Sequence, residues 1–461
     1  MNTSIKILLL AAALIVSNLS LAQQTNAGDV MPNNVPALLV KAKSAYAARD
    51  YLTYRKTLER IRQMRPNNSN YMYQLVLAHA LLDEKTPAFN LMLNMQQQGL
   101  AYDFSLTDDS LNLRQTEVFD YVNDLMIIAG EPLGESEAVF SLPESVLMPE
   151  SIAWDEARNQ FLIGTVKDGS VIAVDQNGQV TELLKATEEN GMWAVYGLLV
   201  DQARNRLWVS SAATPSFSGF NPVNKGRSAL FEFDLKTLEL IHQYPVPVDG
   251  RSHILGSMVL SPNGDIYVVD RTLPVVYRKA DGENKLKAFL ASREMISMRG
   301  IAMQADGRLM YVADREMGIM VVDIEGQKVG RLGVPDNLNI AGIDGLYLWE
   351  NHLIMIQNGI KPQRAMRLEL DQAGTKVTAV GPLAVAQLTF DFPNYGVLKG
   401  KELYFFANSQ SLSANSPAKP VTVLRTVLDS NPDLVTPELQ DFINKNSELM
   451  KKSSKKGGEE N

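Results

Sequence analysis

The chain has 461 residues, 45% hydrophobic and 21% charged, enough at about 100–200 residues per domain for two or three folded units, which excludes a disordered or collagen-like chain. Fifty-two acidic residues against 44 basic ones leave a net charge of −8, so nucleic acid is not an expected partner. There is no cysteine, which excludes disulfides, thiolate nucleophiles, zinc–thiolate and iron–sulfur sites, and a lipidated N-terminal cysteine.

At the start of the chain, Lys6 precedes an apolar run from Ile7 to Val16, and Ser20-Leu21-Ala22 offers small residues where a signal peptidase requires them. Residues 1–22 therefore read as a cleaved leader, because the apolar run is too short for the ~20 residues of a spanning helix. The mature protein is expected to be exported, to a periplasm or outside the cell, with no membrane span.

From 32 to 130 the apolar residues recur at helical spacing, as in Leu38, Ala42, Ala45 and then Tyr54, Leu58, Ile61. Pro32-Asn33-Asn34 returns as Pro66-Asn67-Asn68, 34 residues on (66 − 32), which is the period of a tetratricopeptide helix pair. With small residues at Ala42, Ala45 and Ala78, the stretch resembles tetratricopeptide repeats, with Tyr102 to Met126 as a divergent cap. The resemblance implies either a peptide-binding groove or a packing appendage.

Beyond Gly134 short β-rich runs alternate with turn dipeptides such as Asp168-Gly169 and Asn177-Gly178. One order of small residue, strand, turn and strand starts again at 151, 197, 256, 300, 345 and 396, the spacing of a four-stranded propeller blade. The fold class expected is therefore mainly β with an all-α N-terminal region: a six-bladed β-propeller over 136–430. Thr214 to Arg227 reads as a long loop over one mouth of the ring, and 437–461 as a polar tail that starts with a short helix.

The segment Pro149-Glu150-Ser151-Ile152-Ala153-Trp154-Asp155, with Ile343-Asp344-Gly345-Leu346, resembles the SMP-30/gluconolactonase group of six-bladed propellers, and the blade pattern extends the resemblance over most of 140–428. The group includes metal-dependent lactonases and esterases, in which acidic and amide side chains at the start of the inner strands hold one divalent cation. The resemblance implies Glu150 and Asp344 as metal ligands for calcium or magnesium, and Asp344 as a base. The asparagine expected before Gly300 is Arg299, however, and the third-blade asparagine falls at Ile254 or Leu255. A guanidinium repels a dication, and Arg299 is expected to approach both Glu150 and Asp344 across the ring and satisfy them without a metal; one calcium or magnesium ion stays as the alternative to an empty site.

Three uses of these residues follow: an ion-paired plug; a small-molecule site in which Arg299 grips an anion or carbonyl between Tyr196 and Tyr395; or a lactone or ester hydrolase, either with a metal in a degenerate site despite Arg299 or with Arg299 at the oxyanion and Asp344 as base. His253, near the same mouth, is a further ligand-binding or acid–base candidate, although an exposed loop position is the simpler expectation. Asp270-Arg271 and Asp314-Arg315 repeat after strands of two blades and read as surface or inter-blade ion pairs. The remaining alternative is a non-catalytic periplasmic module that holds a protein partner through its helical repeats and propeller.

Overall fold

Repetition of Pro-Asn-Asn has a direct structural consequence in the computed structural model, which describes residues 34–410 and 419–456. Helix α1 (Val35–Ala47) is capped by Asn34, whose side chain accepts from the Ala37 N–H at 2.9 Å. Helix α3 (Ser69–Leu81) is capped by Asn68, which accepts from Asn70 and Tyr71. Each such cap is worth about 1 kcal/mol. The partner helices α2 (Tyr51–Met64) and α4 (Lys85–Gln97) keep the same 34-residue offset (85 − 51). The expected leader lies outside the described residues.

Contacts divide the chain after Met64. Helices α1 and α2 pack on each other through Leu38, Ala42, Ala45, Leu58 and Ile61. In the second unit, α3 and α4 are followed by two 3-10 turns and the helices α5 (Leu111–Arg114) and α6 (Phe119–Ile128). The α3–α4 pair is tied to the propeller by buried polar groups. Asn339 donates to the Asn67 carbonyl and to Gln98 Oε1, both at 2.9 Å, and Arg364 donates to the Gln98 carbonyl at 3.1 Å.

Six sheets form the propeller. In chain order, β1 (Leu133–Gly134) and β2 (Glu137–Ser141) precede blade 1, which is β3 (Pro149–Asp155) to β6 (Val180–Lys185). Blade 2 runs from β7 (Ala194–Asp201) to β10 (Leu240–Pro245), blade 3 from β11 (Leu255–Leu260) to β14 (Leu286–Ala291), and blade 4 from β15 (Met298–Met303) to β18 (Lys328–Arg331). Blade 5 runs from β19 (Ile343–Trp349) to β22 (Val377–Val385) and takes β1 at its edge. Blade 6 holds β23 (Gly396–Lys399), β24 (Glu402–Phe406) and β25 (Thr422–Val427), and its fourth strand is β2, from before blade 1. That exchange closes the ring with hydrogen bonds, a feature the strand pattern alone did not announce.

Six apolar clusters fill the six inter-blade seams. Phe161 lies in the seam between blades 6 and 1, Phe231 between 1 and 2, and Phe405 between 5 and 6, all fully buried; truncating one such ring costs about 3–5 kcal/mol. At the C-terminus the expected short helix is longer: α7 covers Pro437–Lys456, and Phe442 packs against Tyr121 of α6 with ring centroids 5.1 Å apart. No helix among the described residues is long and apolar enough to cross a membrane.

Candidate functional site

The inner strands enter the ring with a local irregularity. Pairing of β3 with β4 (Gln160–Thr165) shifts between Pro149 and Ser151, of β7 with β8 (Arg206–Ala212) between Val195 and Gly197, of β15 with β16 (Leu309–Asp314) between Met298 and Ile301, and of β19 with β20 (His352–Gln357) between Ile343 and Gly345. A bulge re-aims its extra residue off the sheet face, and the residues concerned are Glu150, Tyr196, Arg299 and Asp344. The same offset in blade 3, between Leu255 and Met258, gives Gly256 as the equivalent position. The expectation of Ile254 or Leu255 is therefore corrected: Leu255 pairs with Asp270 as Met298 pairs with Asp314, so the aimed position is one residue further on.

Gly256 explains its own blade's contribution. A Cβ there would lie 2.8 Å from Cγ and Cδ of Arg271, so the missing side chain makes room for the arginine that follows β12 (Ile266–Asp270). Arg271 Nη1 donates to Glu150 Oε2 at 2.8 Å, and its guanidinium carbon stands 5.1 Å from the Tyr196 ring centroid and 5.6 Å from that of Tyr395. Arg315, after β16 (Leu309–Asp314), approaches Asp344 at 2.5 Å and donates to Asn358 Oδ1 at 2.9 Å. Asn358 in turn donates to Asp344 Oδ2. These positions are equivalent by backbone bonding: the N–H groups of Val166, Arg271, Arg315 and Asn358 each donate to the carbonyl just before their blade's inner strand, at Met148, Ile254, Ser297 and Gly342.

Two expectations change here. Arg299 reaches only one carboxylate: its Nε is 3.6 Å from Asp344 Oδ1, and Nη1 donates to the Arg271 and Met298 carbonyls, each at 3.0 Å. Glu150 is taken by Arg271 instead. Of the two expectations for the Asp-Arg repeats, the surface pair is overturned and the inter-blade pair holds for the arginines, Arg271 with Glu150 of blade 1 and Arg315 with Asp344 of blade 5. Each aspartate is fully buried and accepts loop N–H groups, Asp270 from Thr272 and Leu273 and Asp314 from Ile296 and Met317, while the arginine beside it points to the ring mouth. The repetition was a readable signal; for Arg271 what hid its use was that Gly256 opens the path inward.

Electrostatically the mouth holds three guanidiniums against two carboxylates. Burial, with the Arg271 charge next in weight, lowers the Arg299 guanidinium from its ordinary value. Burial also lowers Arg271, but Tyr395 and Glu150 outweigh it and hold Arg271 above its ordinary value. Burial pushes both Tyr196 and Tyr395 up, so they stand as neutral phenols. The Tyr196 hydroxyl lies 2.9 Å from Thr214 Oγ1.

Glu150 and Asp344 do not fit a dication. Each already faces at least one guanidinium, and among the described residues no group of three or more acids and histidines could hold a metal. Below the charged layer, a cavity of about 90 Å³ is bounded by Glu150, Tyr196, Ser257, Tyr347 and Tyr395.

His253 lies elsewhere. It is buried, with Nδ1 2.7 Å from Asp270 Oδ2 and Nε2 3.0 Å from Asp249 Oδ1. An exposed loop position is thus overturned by two carboxylates that hold both ring nitrogens.

No protein-family model matches the sequence, and no curated protein matches it significantly. Among solved structures, the chain is similar to regucalcin from Agrobacterium tumefaciens, described as a calcium-binding protein, at 15% identity over 65% of this chain and 98% of that one (TM-score 0.45). It is similar to virginiamycin B lyase from Staphylococcus aureus at 12% identity over 64% and 99% (TM-score 0.42). A third is the PQQ-bound aldose sugar dehydrogenase from Streptomyces coelicolor, at 14% over 64% and 99% (TM-score 0.42). Likeness at this level transfers no chemistry, and the six-bladed ring rests on the sheets themselves.

Proposed function

We propose that the ring mouth binds a small organic anion, or a lactone or ester carbonyl, without a metal. The observation that supports this most is the excess of guanidinium over carboxylate. Arg299 keeps its Nη2 without a hydrogen-bond partner among the described residues, and its Nε is beyond hydrogen-bond reach of Asp344. A planar guanidinium donates in a fork to a carboxylate or carbonyl, and Tyr196 and Tyr395 give that ligand flat walls. Hydrolysis is the second reading, supported by Arg299 beside Asp344. There Arg299 would stabilise the oxyanion and Asp344 would take the proton of water; the hold of Arg315 and Asn358 on Asp344 weighs for binding first.

Thermal unfolding with gluconate, gluconolactone, calcium and magnesium tests the reading. A ligand at about 100 times its dissociation constant adds about 2.7 kcal/mol. The expected result is a midpoint raised by the organic ligand in the wild type and not in Arg299→Ala, with no response to either cation. A rise with a cation, lost in Glu150→Gln, would return the site to a metal.

The chain is further proposed to be exported, with residues 1–22 removed; N-terminal sequencing of the secreted or periplasmic protein should begin at Gln23. The tetratricopeptide-like reading of the helices, and with it a protein partner, is supported by the 34-residue register and by exposed Val40 and Leu52 on α1 and α2. A protein-binding role requires that Val40→Glu abolish co-purification of a partner while leaving the unfolding midpoint unchanged.

A further inference from the structure

The loop Thr214 to Arg227 touches the ring mouth at its start, where Thr214 and Phe217 meet Tyr196. It meets the loop 246–253 around a second cavity of about 420 Å³. The two loops approach closely at Gly226, where a Cβ would come within 2.8 Å of Ser252 Oγ, and the His253 N–H donates to the Gly226 carbonyl at 3.0 Å. Lys225, Arg227 and Arg251 line this cavity, and none of its lining residues carries a carboxylate.

The charges behind the cavity largely settle among themselves. Asp249 accepts from Arg251 Nε at 2.7 Å and faces His253, which also meets Asp270. Lys225 and Arg227 are outside that network, and their side chains have no hydrogen bond or ion pair among the described residues. Two exposed, uncommitted cations stand together in a chain of net charge −8, and no side chain lining the space in front of them is a carboxylate. Beside them stand Pro247 and the exposed Val223 and Val248, at 78% and 90%. Two positive charges match a dianion, and a phosphate monoester carries about −1.5 to −2 at pH 7.

We infer that the cavity between these loops is a second binding site, for a small phosphomonoester whose apolar body lies against Val223, Pro247 and Val248. The fork of Arg227 and the Lys225 ammonium grip the phosphate, and the Ser252 hydroxyl is a third donor. The site is separate from the ring mouth and does not depend on the reading given for it.

Phenyl phosphate is the probe, titrated calorimetrically into the full chain and into the Arg299→Ala protein, so that the mouth is disarmed in one arm. Saturable binding is expected in both, with benzoate weaker and benzyl alcohol silent. Lys225→Ala with Arg227→Ala should weaken phenyl phosphate by about tenfold or more, the weight of one charge-assisted hydrogen bond, at an unchanged unfolding midpoint; the single variants Lys225→Gln and Arg227→Gln serve if the double variant is less stable. No binding to the wild type, binding indifferent to Lys225 and Arg227, or loss in Arg299→Ala would each overturn the inference.

Discussion

The ring mouth has two unlike halves built on one repeated backbone. In blade 1 the residue after the second strand is Val166, and with Tyr196, Ala212 and Phe217 of blade 2 and its loop it forms an apolar cluster. In blades 3 and 4 the equivalent residues are Arg271 and Arg315, joined by Arg299. The backbone bond that places each residue is the same, so the difference is purely one of side-chain chemistry. A mouth whose apolar wall meets a layer of three guanidiniums and two carboxylates orients a ligand that has an acid or carbonyl at one end and a carbon skeleton at the other.

The largest way to break this contrast is Asp344→Ala, which strands Arg315 and Arg299 in a half-buried layer. Denaturant unfolding should show a loss of about 3–5 kcal/mol. Next is Gly256→Ala, which forces a Cβ against Arg271; a loss of about 1–3 kcal/mol is expected, and it should largely vanish in an Arg271→Ala background, a non-additivity that locates the cause. Arg299→Met sharpens the asymmetry further. Because Arg271 repels it, its loss should change stability by less than about 1 kcal/mol while weakening the organic ligand by about tenfold.

The smallest effect is on pH. Tyr196 and Tyr395 are raised above their ordinary 10.0, first by burial. A group whose folded value is raised contributes stability that is complete below its unfolded value and is lost as pH rises through the folded one. Stability at the mouth should therefore be level up to about pH 10 and fall above it. An ultraviolet tyrosinate titration should show these two phenols ionising after the exposed ones, and Tyr395→Phe should remove part of the late phase.

The blades were legible because a strand pair writes itself locally: Phe161-Leu162-Ile163 and Leu309-Met310-Tyr311 each announce a buried strand whatever surrounds them. The helix caps at Asn34 and Asn68 were written as plainly in the Pro-Asn-Asn repeat. Of the partners of Glu150 and Asp344, Arg299 beside Asp344 was legible and Arg271 and Arg315 were not. Arg271 and Arg315 come from a different strand than the acids they meet; the path of Arg271 depends on an absent side chain at Gly256, and the acids are aimed by bulges that shift the register by one. His253 failed for the same reason, since Asp249 and Asp270 reach it only through the folded loops.

The most direct measurement is calorimetric titration of gluconate and of calcium into one preparation of the protein, repeated with Arg299→Met. Saturable gluconate binding that weakens about tenfold in the variant, with calcium silent in both, is the expected result. Saturable calcium binding to the wild type, or gluconate binding that ignores Arg299, would contradict an anion site made by the surplus guanidinium.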